Sequence, residues 1–87
     1  MPKENIVIPT IHLNGTSRAE IMSALSGANE ALFIAIEAVG RTAPNGRDYY
    51  GSGDIKAATD QHNRRIWLIE EVRRELEDIA IAVASQE

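Results

Sequence analysis

Eighty-seven residues make one small domain at most, and a chain this short hides only about 60% of the surface its unfolded form exposes. With no cysteine and only two histidines, disulfide scaffolds, thiolate metal sites and an all-histidine zinc site are excluded. A net charge of -4, from 13 acidic and 9 basic residues, argues against a general nucleic-acid binder, which needs a basic excess.

In chain order, Met1-Pro2-Lys3-Glu4 does not lead into a signal-peptide core. No uninterrupted apolar run reaches the roughly 20 residues of a membrane span. The expectation is a soluble cytoplasmic protein with no membrane partner. Residues 1–16 then hold Ile6-Val7-Ile8-Pro9-Thr10-Ile11-His12-Leu13, a β-branched run broken by proline that prefers extended backbone. It reads as an arm laying Ile6, Ile8, Ile11 and Leu13 on the rest of the chain or on a second protomer. Short strand pairing between two such arms is the alternative.

A first helix is predicted over residues 17–40. Ser17 and Glu20 match the S-x-x-E capping box, and Leu13 stands just upstream for an apolar contact. Ile21, Leu25, Ala28, Leu32, Ala35 and Val39 recur at steps of four and three, the seam of an amphipathic helix. Gly40 is placed to end it in the left-handed conformation, with Pro44 soon after. Gly27 inside the helix reads as a point of close packing.

Residues 41–53 form a polar, glycine-rich loop, and a second helix is predicted over 54–85, capped by Asp54 or Ser52. Its seam is Ile55, His62, Ile66, Ile69, Val72, Leu76, Ile79 and Val83, with His62 a core or interface residue. Glu70–Arg74, Arg73–Glu77 and Arg74–Asp78 are spaced for ion pairs on a solvated face. The fold class is therefore all-α: an antiparallel helical hairpin with an extended arm. Phe33, Ile34, Ile36, Trp67 and Leu68 lie off the seams. A lone hairpin would leave them in water, so a homo-oligomeric bundle, dimer or higher, is expected.

Two polar strings carry what chemistry the chain offers. In the first, Asn14-Gly15 is a turn dipeptide, flanked by His12 and by Thr16, Ser17 and Arg18 at a helix start, where free N–H groups suit a phosphate or carboxylate. In the second, Asn45-Gly46 makes a turn and Arg47, Asp48, Tyr49 and Tyr50 follow. Arginine neutralises an anion, tyrosine stacks, and Asp48 can accept from a base edge. The alternative for both strings is local capping, turn formation and packing. A hairpin holds the two strings at opposite ends, so a shared site needs a second protomer. No catalytic set, metal set or cofactor fingerprint can be assembled: there is no placed serine–histidine–acid group, no Walker loop and no Glu-x-x-His pair.

The strings Thr10-Ile11-His12-Leu13-Asn14-Gly15-Thr16-Ser17 and Asn45-Gly46-Arg47-Asp48-Tyr49-Tyr50 resemble those of small helical proteins encoded by tailed phages and prophages. In build alone, the chain is also similar to phage nucleotide sponges, which are small, helical, oligomeric and non-catalytic and sequester cyclic nucleotide immune signals. The resemblance implies a non-enzymatic, cofactor-free binder of a small nucleotide-like anion, acting in the host cytoplasm against a defence signal and contacting no long nucleic acid. A structural or protein-interaction accessory module with no small ligand is the competing reading.

Overall fold

Ser17 starts the first helix as its spacing predicts. Its hydroxyl accepts from the Glu20 N–H at 3.1 Å, and the Glu20 carboxylate accepts from the Ser17 N–H at 3.3 Å. This reciprocal capping box satisfies two donors that would otherwise face nothing. The computed structural model describes residues 5–51 and 53–86. Among them are two long helices and no strand: α1 (Arg18–Gly40) and α2 (Ile55–Ala84), joined by a loop holding a one-turn 3-10 helix (Gly46–Tyr49).

The helix exits and entries differ in detail from the expectation. Gly40 remains helical, and Gly53, with φ 72°, is the one left-handed residue among those described. α1 instead tightens: Arg41 donates to Ala38 and Thr42 to Val39, both three residues back, and the Thr42 hydroxyl adds a bond of 2.7 Å to Val39. Those bonds take up the orphan carbonyls without a left-handed exit. Asp54 holds the cap position of α2, yet with ψ 21° its backbone is not extended and its side chain makes no capping bond. Ser52, the other candidate cap, lies outside the described residues.

α1 and α2 pack against each other along seams that advance by alternating steps of four and three, the roughly 3.5-residue period of coiled-coil packing. On α1 the seam runs Arg18, Met22, Leu25, Asn29, Leu32, Ile36, Val39. On α2 it runs Ile55, Thr59, His62, Ile66, Ile69, Arg73, Leu76, Ala80, Val83. Both are rotated from the sequence reading: Met22, Asn29 and Ile36 replace Ile21, Ala28 and Ala35 on α1, which brings Ile36 onto the seam, and Arg73 and Ala80 replace Val72 and Ile79 on α2. Asn29 faces α2 while Ala28 is exposed, and Arg73 faces α1 while Val72 is exposed. The Arg73 Nε donates to Asn29 Oδ1 at 2.6 Å, and its guanidinium lies 5.2 Å from the Phe33 ring centroid. A polar pair in an apolar seam fixes register, because any slip leaves both partners unpaired. Arg73 pairs with Glu70 and Arg74 with Glu71, each three residues back, in place of the four-apart pairs that the spacing suggested.

The arm docks at the end where α1 begins and α2 finishes. The Gln86 side chain accepts from the Ile11 N–H at 2.9 Å and donates to the Pro9 carbonyl at 2.6 Å, pairing with the extended backbone as a neighbouring strand would. Arg18 donates to the Gln86 main-chain carbonyl, tying the two helix ends together. Ile6, Ile8 and Ile11 are half-buried, whereas Leu13 is 98% exposed, so the arm covers the hairpin only as far as the turn. Replacing Gln86 with Ala should release the arm: amide exchange at Ile11 should accelerate toward the unprotected rate, with only about 1 kcal/mol of global stability lost.

What the hairpin lacks is a core. Among the described residues Val83 is the one fully buried side chain and His62 the one buried polar residue, with the Nδ1 of His62 meeting no hydrogen-bond partner. Gly27, read from sequence as a close-packing point, has open space where a Cβ would stand. The radius of gyration is 18.1 Å, against about 12 Å for a compact chain of this length.

Candidate functional site

The first polar string is a tight turn closed by the Gly15 N–H donating to the His12 carbonyl at 3.1 Å. Leu13 and Asn14 are therefore the central residues, and Asn14 keeps a negative φ. The His12 ring folds over Gly15, and a Cβ there would stand 2.8 Å from His12 Nε2, so a side chain at 15 would turn that exposed ring aside. Thr16 is exposed; Ser17 is exposed too, but its hydroxyl is engaged with Glu20. Glu20 also places a negative charge on the first turn of α1, where a bound anion would have to compete with it. Arg18 is half-buried and bonded to Gln86, and its Nε is buried without a partner.

The second string is ordered by Asn45. Its side-chain oxygen accepts from the Arg47 N–H at 2.9 Å and its carbonyl from the Asp48 N–H at 2.9 Å, which winds Gly46–Tyr49 into a 3-10 turn. This is an Asx-type cap rather than the expected two-residue turn. Tyr49 is half-buried and its carbonyl accepts from Gly53 at 3.2 Å. Arg47 and Asp48 are exposed, and Tyr50 is 93% exposed. The tip of the hairpin thus presents a cation, a carboxylate and an aromatic ring on one ordered turn.

The two strings stand at opposite ends, since Arg18 and Gln86 meet at one end and residues 41–53 connect the helices at the other. Helices of this length separate them by about 35 Å. A shallow open depression of about 180 Å³ lies on the flank of α2, lined by Glu70, Arg73, Arg74 and Glu77. Ligand pockets usually hold about 300–1,000 Å³. No cluster of three or more metal-ligating side chains occurs among the described residues. The Asp60 carboxylate, 2.8 Å from the Lys56 amine, raises that amine above its ordinary value, a fully exposed pair remote from both strings. α1, 23 residues long with an 18-residue window of mean hydropathy 1.2, is long and apolar enough by those two measures to cross a membrane, although charged residues interrupt its apolar run.

Sequence reading missed Gln86, Asn29 and Arg73. The signal for the last two was present: a polar residue at a seam position of each helix, at levels that face each other when the helices run antiparallel. Comparison with protein-family models, curated proteins and solved structures finds no match to this chain.

Proposed function

We propose that the protein is a non-catalytic, homo-oligomeric binder of a small anionic, nucleotide-like ligand, held where the hairpin tip of one protomer meets the arm turn of another. The observation that carries this reading is the tip itself. Arg47 and Tyr50 stand exposed on a turn that Asn45 orders from within. Arginine supplies a fork for phosphate oxygens and tyrosine a stacking face. His12, Asn14 and Thr16 supply further polar groups from the other chain. Ser17 and Arg18 contribute less than their residue types suggest, because each is already bonded within the fold.

Native mass spectrometry of the purified protein with mononucleotides and cyclic di- and trinucleotides tests the reading, since it reports subunit number and retained ligand together. Removing the Arg47 side chain should weaken the tightest nucleotide by about 1.5–3 kcal/mol, the scale of a hydrogen bond to a charged group. Arg47→Ala should still fold and assemble, because an exposed tip residue packs against no core. Equal affinity of wild type and Arg47→Ala in calorimetric titration would remove Arg47 from the site.

The second reading, an interaction module with no small ligand, draws on the capping bonds of Ser17 and Asn45, which account for those two residues without any ligand. On that reading Arg47→Ala changes nothing and no nucleotide is retained.

A further inference from the structure

Each helix carries a second heptad stripe beside the one used inside the hairpin. On α1 it is Ala24, Ala28, Ala31, Ala35 and Ala38; on α2 it is Arg65, Leu68, Val72, Glu75, Ile79 and Ala82, again at alternating steps of four and three or three and four. Phe33 and Arg73 meet on one side of the hairpin. By helical rotation, both stripes fall on the other side. Four of the five alanines are exposed, and Leu68 and Val72 are 41% and 46% exposed. A helix with two adjacent apolar heptad stripes is built to touch two neighbours, and the hairpin supplies one.

We infer that this face is covered by a second copy of the chain, packed through α2 against the partner's α2 about a two-fold axis passing between Leu68 and Val72. This rests on the homo-oligomeric part of the proposed function and specifies its interface. The stripe is self-complementary in that one arrangement. Antiparallel pairing sets Leu68 against the partner's Val72, and Arg65 against the partner's Glu75, and the symmetry repeats both contacts. A residue order of cation, apolar, apolar, anion at equal distances from the centre is what an isologous antiparallel contact needs. The alanines of α1 let the flanking helices approach closely on either side. The face is about 35 Å long and two helices, roughly 18–20 Å, wide, on the order of 700 Å² per copy. Stable interfaces bury about 800 Å² per partner.

The same register has a consequence for the site. It levels the start of α2 in one protomer with the end of α2 in the other. The tip bearing Arg47 and Tyr50 then lies beside the partner's Gln86 and the turn that Gln86 holds. Each end of the dimer would carry one complete set of the two polar strings, with neither chain able to form it alone.

Charge reversal tests the register without depending on any ligand. Arg65→Glu alone sets like charges together twice, as does Glu75→Arg alone, and each should weaken association by on the order of a hundredfold. Mixing the two single variants should restore it, because every contact across the axis then pairs opposite charges. Native mass spectrometry should show a heterodimer in the mixture and mainly monomer in each variant alone, with circular dichroism showing helix content recovered on mixing if either variant unfolds. Single variants that associate like wild type, or a mixture that does not recover, would overturn this interface while leaving an oligomer through another face intact. A wild-type monomer would overturn both the interface and the oligomeric reading. The same holds for a wild-type monomer that floats with phosphatidylcholine vesicles, which would assign the alanine face to lipid.

Discussion

Val83→Asp is expected to unfold the hairpin at 25 °C. Val83 is fully buried in the last turns of α2, close to where Arg18 and Gln86 join the helix ends. Removing its burial forfeits about 1.5–3 kcal/mol. Placing a carboxylate there adds a desolvation penalty of several kcal/mol, and the guanidinium of Arg18 is already bonded to the Gln86 carbonyl. A domain of this length has about 4–13 kcal/mol in total, and a hairpin with one fully buried side chain belongs at the low end. Circular dichroism should show most of the helical signal gone. Ile81→Asp is the control, two residues away on the same turn but 61% exposed. It should change stability by no more than about 0.5 kcal/mol. Similar melting curves for the two variants would mean that burial at 83 does not support the fold.

The helices were legible because their signals are local. The Ser17–Glu20 box and the four-and-three spacing depend on residues within one or two turns of each other, and the structure forms α1 and α2 within a residue of the predicted ends. The rotation of each seam was not legible, because it depends on a contact between helices. Ala28 and Val72 are better seam residues by hydropathy than Asn29 and Arg73. The polar pair wins because the two groups satisfy each other across the interface at 2.6 Å, which neither helix can show alone. The turns form at both Asn-Gly strings but in another conformation. Asn-Gly permits positive φ, but permission is not requirement. Asn14 sits at the centre of a turn closed by His12 and Gly15, and Asn45 caps a 3-10 helix. As for the candidate site, the sequence correctly separated its halves by the length of the hairpin. It could not show that Arg18 and Asn45 are also spent on the fold, since their partners, the Gln86 carbonyl and the N–H groups of Arg47 and Asp48, become fixed only once the chain is folded.

Melting temperature should rise with protein concentration. Among its described residues a single chain buries one apolar side chain fully and leaves Phe33, Ile34, Trp67, Leu68, Val72 and Ile81 each more than 40% exposed. On the proposed homo-oligomeric reading, stability comes from surface covered by another copy, and mass action then links folding to concentration. For a dimer that unfolds as it dissociates, raising concentration a hundredfold adds RT ln 100, about 2.7 kcal/mol, per dimer. The unfolding entropy, at about 2.1 cal/mol/K per residue, sums to roughly 0.37 kcal/mol/K over two such chains. The expected rise in Tm is therefore about 7 °C between 1 and 100 μM, scaled from those same figures. Higher oligomers shift in the same direction. An independently stable monomer gives no shift at all, which makes a flat Tm across that range the result that would defeat the oligomeric reading. The Gln86→Ala variant serves as an internal comparison. Its arm is released but both outward stripes are untouched, so its Tm should be lower throughout while its slope against the logarithm of concentration stays that of wild type.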